Sequence, residues 1–202
     1  MPARVSVPQF PGPYAISWTV TPDPEREELL IEAGIPQERR ERAIAWATET
    51  FDEAFGWPGV FYTVDAALAA RAQFYAHESP MKVIGLGLPE DLAEGFIIDA
   101  TPPQSPPGYA PNGESGYLEC VRQKRPLPPD GRVLGYEALN LFMGMLGDSW
   151  LCSGLEKELD LRAGAYGLIA SLEDAARCCA AIDAGKVAAE NGPWYPFVLI
   201  EY

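Results

Sequence analysis

Five prolines and three glycines crowd into the eighteen residues from Asp99 to Gly116, and no other stretch limits the folding of this chain so sharply. Proline lacks an amide donor and fixes φ, so neither a helix nor a strand ladder runs through such a segment. The stretch is expected to be a surface loop or an insertion. Neither flank is large enough to expect a core of its own. At 202 residues the chain therefore reads as one domain, 1–202, interrupted by the 99–116 loop.

Patterning on either side of the loop mixes helices and strands without strict alternation, which predicts an α+β domain. Its mixed or antiparallel sheet should have about five strands packed with several helices. Alternation over Tyr14–Val20 predicts a first strand, followed by a break at Thr21–Pro24. Helices are expected over Glu25–Ala33 and from about Pro36 to Phe55, the latter with Ile44, Ala47, Phe51 and Phe55 on one face. Val60–Thr63 reads as a short extended piece. Asp65 to about His77 reads as a helix capped by Thr63 or Asp65. Met81–Leu88 has the look of a core strand, and Pro89–Glu94 of a helical turn. Beyond the loop, Tyr117–Arg122 fits a helix or a strand equally, and Pro126–Asp130 a turn. Arg132–Phe142 predicts a strand, and Ser149–Leu161 a helix with Leu151, Leu155 and Leu159 on one face. Ser171-Leu-Glu-Asp174 opens a further helix ending at Gly185, and Pro196–Tyr202 closes with a strand.

The charge balance narrows the function classes. Asp plus Glu number 29 against 15 Lys plus Arg, a formal net charge of −14. Such a field repels nucleic-acid phosphates and anionic lipid surfaces, and hastens encounter with a basic protein. Met1–Val7 has no basic region followed by an apolar one, and no run approaches a membrane span, so a cytoplasmic location is expected. Cys120, Cys152, Cys178 and Cys179 have no CxxC spacing and His77 is the lone histidine, so no metal site or other cofactor is expected. In such a compartment these cysteines read as small buried hydrophobes.

Gly147-Asp-Ser-Trp150 has the outline of an esterase nucleophile motif, but that motif needs a strand before the serine and a histidine after it. Asp148 or Ser149 as a helix N-cap accounts for the same residues. With Ser149 as cap, Cys152 falls in a first helical turn, where amides and dipole favour a thiolate; paired with His77 it defines a thiol-enzyme alternative. Gly85-Leu-Gly87 lacks the third glycine of a nucleotide loop, and Glu90 and Asp91 stand where phosphate would bind. Carboxylate pairs such as Glu137 with Asp148, or Glu156 with Asp160, have solvated surface as their ordinary setting. Trp150, Trp194, Tyr195 and Tyr202 have two destinations, an interface or the core.

Leu134-Gly-Tyr-Glu137, Ser149-Trp-Leu-Cys-Ser-Gly-Leu-Glu156, Tyr166-Gly-Leu-Ile169 and Gly192-Pro-Trp-Tyr-Pro196 followed by Leu199-Ile-Glu-Tyr202 together resemble a bacterial family of uncharacterised cytosolic proteins. Phe61-Tyr-Thr63 and Ile84-Gly-Leu-Gly87 are similar to its first half, so the likeness covers most of the chain after about Gly59. The chain departs from the family where a His-Ser pair and an Asn often stand, and carries Asp148-Ser149 and Ser153 instead. Such small acidic proteins are similar to immunity proteins, which bind a cognate toxin and block it. That resemblance implies a basic protein partner and carries over no catalytic residue. The leading expectation is a non-enzymatic inhibitor that occludes a basic toxin, with Glu137, Asp148, Trp150, Glu156 and Trp194 as its partner-binding candidates. The alternatives are a small hydrolase or thiol enzyme using Cys152 or Ser149 with His77, and a structural or regulatory subunit.

Overall fold

A computed structural model describes residues 14–18, 36–50, 53–56, 60–74, 83–101, 116–142, 145–150, 155–161, 163–189 and 191–202. The strands are β1 (Tyr14–Trp18), β2 (Phe55–Gly56), β3 (Val60–Phe61), β4 (Ile84–Leu88), β5 (Arg132–Phe142), β6 (Met145–Ser149) and β7 (Trp194–Glu201). The helices are α1 (Gln37–Thr50), α2 (Val64–Phe74), α3 (Ala93–Ala100), α4 (Gly116–Arg122), α5 (Leu155–Glu158) and α6 (Leu172–Asp183). Five strands form one sheet in the order β1-β4-β7-β5-β6, antiparallel at every step, and β2 pairs with β3 alone. The fold is α+β, as expected. No helix among the described residues is long and apolar enough to cross a membrane.

β7 is the middle strand, and its sequence shows why. Trp194 to Ile200 is buried throughout, as befits a strand covered on both faces. On one face Tyr195, Phe197 and Leu199 meet Phe96 of α3 and Leu118 of α4 within a single apolar cluster. On the other, α6 brings Ala175, Cys178 and Cys179 against Ala138, Trp150 and Trp194. Pro196 stands inside this strand opposite Ala138. The β4–β7 ladder runs only from Ile84↔Glu201 to Gly87↔Val198, so β7 is locally an edge at Pro196, a setting that tolerates proline. A smaller cluster holds α1 to α2 through Ala43, Phe61 and Phe74, with Trp46 stacked on Phe61 at 6.0 Å and tilted against Phe74 at 5.5 Å.

Local signals placed most element ends. Thr63 Oγ1 accepts the Ala66 amide at 3.1 Å, which starts α2. Ser171 Oγ accepts the Asp174 amide at 3.1 Å and donates to that carboxylate at 2.9 Å, which starts α6. At the far end of α6 the Lys186 amide bonds Ala181 O at 2.9 Å and the Gly185 amide bonds Ile182 O at 2.8 Å, closing a Schellman turn. Gly185 holds φ +64 there, a value that glycine adopts without steric cost.

Several expectations are corrected. The helix expected to reach Phe55 ends at Thr50, because Phe55 pairs with Phe61 in a small hairpin. Phe51 and the helix expected over Glu25–Ala33 lie outside the described residues, as does His77. Tyr117–Arg122 is helical, with Tyr117, Leu118, Cys120 and Val121 buried. Asp99 and Ala100 belong to α3 and Gly116 opens α4, so the loop is shorter than 99–116; residues 102–115 lie outside the described set. Asp148 and Ser149 are not helix caps. They lie in β6, where Ser149 pairs with Leu139, and the next described helix is Leu155–Glu158. The premise that put Cys152 in a first helical turn falls with that cap, and Cys152 itself lies outside the described residues.

Candidate partner-binding surface

The candidates read from the sequence around β5 and β6 do not form one surface. Alternation puts Glu137 on the same face of β5 as Leu139, and Ser149 sits directly across from Leu139. The Ser149 hydroxyl accordingly donates to Glu137 Oε1 at 3.1 Å, and Glu137 is only 7% exposed. A carboxylate so enclosed is a structural partner for Ser149 and cannot meet a large protein ligand. Trp150 is fully buried and Trp194 nearly so, both packed in the α6 cluster. Neither ring anchors an interface, because each is already an anchor of the core. Glu156 lies on α5. Asp148 is exposed, and its amide donates to Asn140 Oδ1 at 2.6 Å, which fixes the irregularity in the β5–β6 ladder.

Nucleophile chemistry finds no footing in these groups. Cys120, Cys178 and Cys179 are buried thiols outside any disulfide. Burial pushes the Cys178 thiol up to about 11, with Glu137 adding to the shift and Arg177 opposing it; burial raises Cys179 further. Protonated, enclosed thiols are poor nucleophiles. At pH 8 the folded chain should leave Cys178 and Cys179 unmodified by a thiol reagent over hours, and both should react on adding denaturant. Rapid modification of either in the folded state, seen by mass spectrometry, would contradict this placement.

A different surface gathers what a basic partner needs. Between Lys82 and Arg122 the chain has no lysine or arginine, whereas Glu90, Asp91, Glu94, Asp99, Glu114 and Glu119 all fall there. The fold turns part of that stretch outward. Ala93, Phe96 and Ala100 recur at helical spacing and are buried against the sheet. The opposite side of α3 and of the 3₁₀ turn Glu90–Leu92 before it therefore faces solvent, with Glu90, Asp91, Glu94 and Asp99 exposed. Ile98 stands on the same side as Glu94 and is 72% exposed. Large apolar side chains so exposed are uncommon among the described residues, where Val133, Phe142 and Tyr166 share the condition.

Platform and charge meet at the end of α3. Phe96 contacts Tyr195 and Phe197 edge-to-face at ring distances of 5.2 and 6.2 Å, which fixes the helix on β7. The Tyr195 hydroxyl donates to Asp99 Oδ2 at 2.6 Å. Asp183, the last residue of α6, comes close enough to Asp99 to feel its charge. Burial raises the Asp183 carboxyl above its ordinary value, the Trp194 amide it accepts opposes this, and Asp99 adds to the rise.

A folded-state value above the unfolded one means that the native chain holds this proton more tightly. Asp183 therefore costs stability as pH rises from the unfolded value near ~3.9 through the raised folded one. Asp183→Asn removes that cost. Its melting temperature should match wild type near pH 4 and exceed it modestly at pH 7, since solvent screens most of the effect. A variant that instead loses ground as pH rises would show the carboxylate to be a net stabiliser.

No family model matches the chain, and neither a curated protein nor a solved structure does. The α3 surface is thus read from its own chemistry. No motif marks it, and Glu90 and Asp91 stand in the sequence only as an obstacle to phosphate beside Gly85-Leu-Gly87. The signal was in the bases that are missing between Lys82 and Arg122, not in any motif.

Proposed function

We propose that this chain is a non-enzymatic binding protein that occludes a basic protein, in the manner of an immunity protein blocking its toxin. One observation carries the reading: within the base-free stretch between Lys82 and Arg122, Glu90, Asp91 and Glu94 are exposed on a helix fixed to the core and on the turn that leads into it. Those carboxylates steer a cationic surface at long range and pair with its lysines and arginines on contact. The net charge of −14 extends the same attraction over the whole molecule. Occlusion asks for no nucleophile, cofactor or metal. Among the described residues, no group of acidic, histidine and cysteine side chains is placed to hold a metal ion.

The test is a pull-down from lysate of the source organism with tagged protein, at low and at high salt. One basic protein should be captured at low salt, and its own activity should fall when purified chain is added back. Capture of nothing at either salt, or capture of a basic protein whose activity is untouched, would defeat the reading.

A further inference from the structure

β6 ends the sheet, and among the described residues no strand pairs with its outer side. An open edge of this kind is a template on which a second chain builds, and native sheets disarm it with bulges and charges. Both devices stand on β6. Leu141 pairs with Leu146 and Leu139 with Ser149, so Gly147 and Asp148 together face the single residue Asn140. Asn140 is 1% exposed, and its side chain acts as a clamp. Its Oδ1 accepts the Asp148 amide at 2.6 Å, and its Nδ2 donates to Asn191 O at 3.5 Å. A Cβ at Gly147 would lie 2.5 Å from that Oδ1, so the clamp closes only over glycine. Gly147 and Asp148 are both exposed.

We propose that the Asn140 clamp, the bulge it holds and the Asp148 carboxylate form an edge guard, which keeps β6 of a second copy of this chain from pairing with β6. The bulge inserts one residue into the two-residue repeat of the strand, so outward donors and acceptors lose the spacing that a ladder requires. Pairing of two copies about a two-fold axis sets β6 against β6 and brings both Asp148 carboxylates to the same short ladder, where like charges destabilise it. The hairpin end makes such a guard necessary. Phe142, opposite Met145, is 53% exposed, and beside an undefended edge it would add an apolar contact to any strand that docked there. The guard also accounts for a buried amide. An apolar side chain would fill position 140 with no polar group to satisfy, whereas Asn140 holds β6 in its bulged form. The guard operates whether or not the chain binds a basic protein.

Deletion of Gly147 together with Asp148→Val removes bulge and charge at once. In sedimentation equilibrium the weight-average mass of that variant should rise about twofold over wild type as concentration increases, since two-fold pairing closes at the dimer. Amide exchange over residues 145–149 should slow with concentration in the variant and be independent of concentration in wild type. Asp148→Val alone leaves the clamp in place at an exposed position, so it should fold and associate more weakly than the double change. Glu173→Val, the same change of charge and apolarity on an exposed residue of α6, should keep the wild-type mass. Circular dichroism shows which variants are folded. If every folded member of the Asp148 pair keeps the wild-type mass, the guard is overturned. Association by Glu173→Val as strong as that of Asp148→Val overturns it as well, and so does wild-type exchange over β6 that slows as concentration rises.

Discussion

Phe197→Ala should lower the unfolding free energy by about 3–5 kcal/mol, the range for truncating a buried phenylalanine. Phe197 has no exposed surface, lies in the middle strand of the sheet and touches Phe96 edge-to-face. Removing the ring opens a cavity between β7 and α3, and close-packed neighbours collapse into it only in part. The loss is a large share of the roughly 5–15 kcal/mol that separates a folded domain from its unfolded chain. Because Phe96 seats α3 on β7, the damage should reach the exposed carboxylates of α3 as well. Urea unfolding gives the stability change. A loss below about 1 kcal/mol would mean that α3 does not pack on β7 as described.

Gly135→Ala should be comparably severe for a different reason. One extra residue, Leu134, is accommodated in β5 between the pairs Val133↔Ile200 and Gly135↔Leu199. Gly135 takes φ +154 just after it, and a Cβ built there would lie 2.7 Å from Leu168 Cβ and 2.9 Å from Ile169 O. The neighbouring residue makes a close backbone pair: the Tyr136 amide bonds Ile169 O at 2.9 Å and the Ile169 amide bonds Tyr136 O at 2.8 Å. A methyl group therefore meets a backbone carbonyl that is held in place. The backbone conformation costs about 1–3 kcal/mol, and the overpacking about as much again. Both terms fall on the folded state, so the thermal midpoint should drop while the far-UV spectrum of the remaining native fraction is kept. An alanine variant as stable as wild type would show that the segment around Ile169 moves freely away from β5.

What the sequence disclosed and what it hid divide along physical lines. Pro196–Tyr202 reads as a closing strand from its apolar run, and β7 is that strand begun two residues earlier at Trp194, apolar at nearly every position because it is covered on both faces. Ser171, Gly185 and Thr63 marked helix ends because each satisfies backbone groups within three or four residues of itself. Ser149 misled because its partner is remote. An Asp-Ser pair before an apolar run has the local signature of a cap, but the hydroxyl is committed to Glu137 twelve residues back in the chain, reached only through the β5–β6 pairing. Trp150 and Trp194 misled for the converse reason: a tryptophan suits an interface or a core equally, and only the position of α6 decides between them. The acidic surface of α3 needed both sorts of knowledge. Its charges are plain in the sequence, but their common direction follows from Ala93, Phe96 and Ala100 being the side that is buried.

The central claim is that charge on the α3 surface recruits a basic protein, and the association rate of the captured partner tests it most directly. Measured by stopped flow at increasing ionic strength, the rate constant should fall steeply with salt, as it does for steered encounters. The slope should shrink when Glu90, Asp91 and Glu94 are replaced by Gln, Asn and Gln, and stay the same when Glu158 and Glu173 are replaced by glutamine. A rate constant indifferent to salt, or a slope that both sets of substitutions reduce equally, would contradict the account.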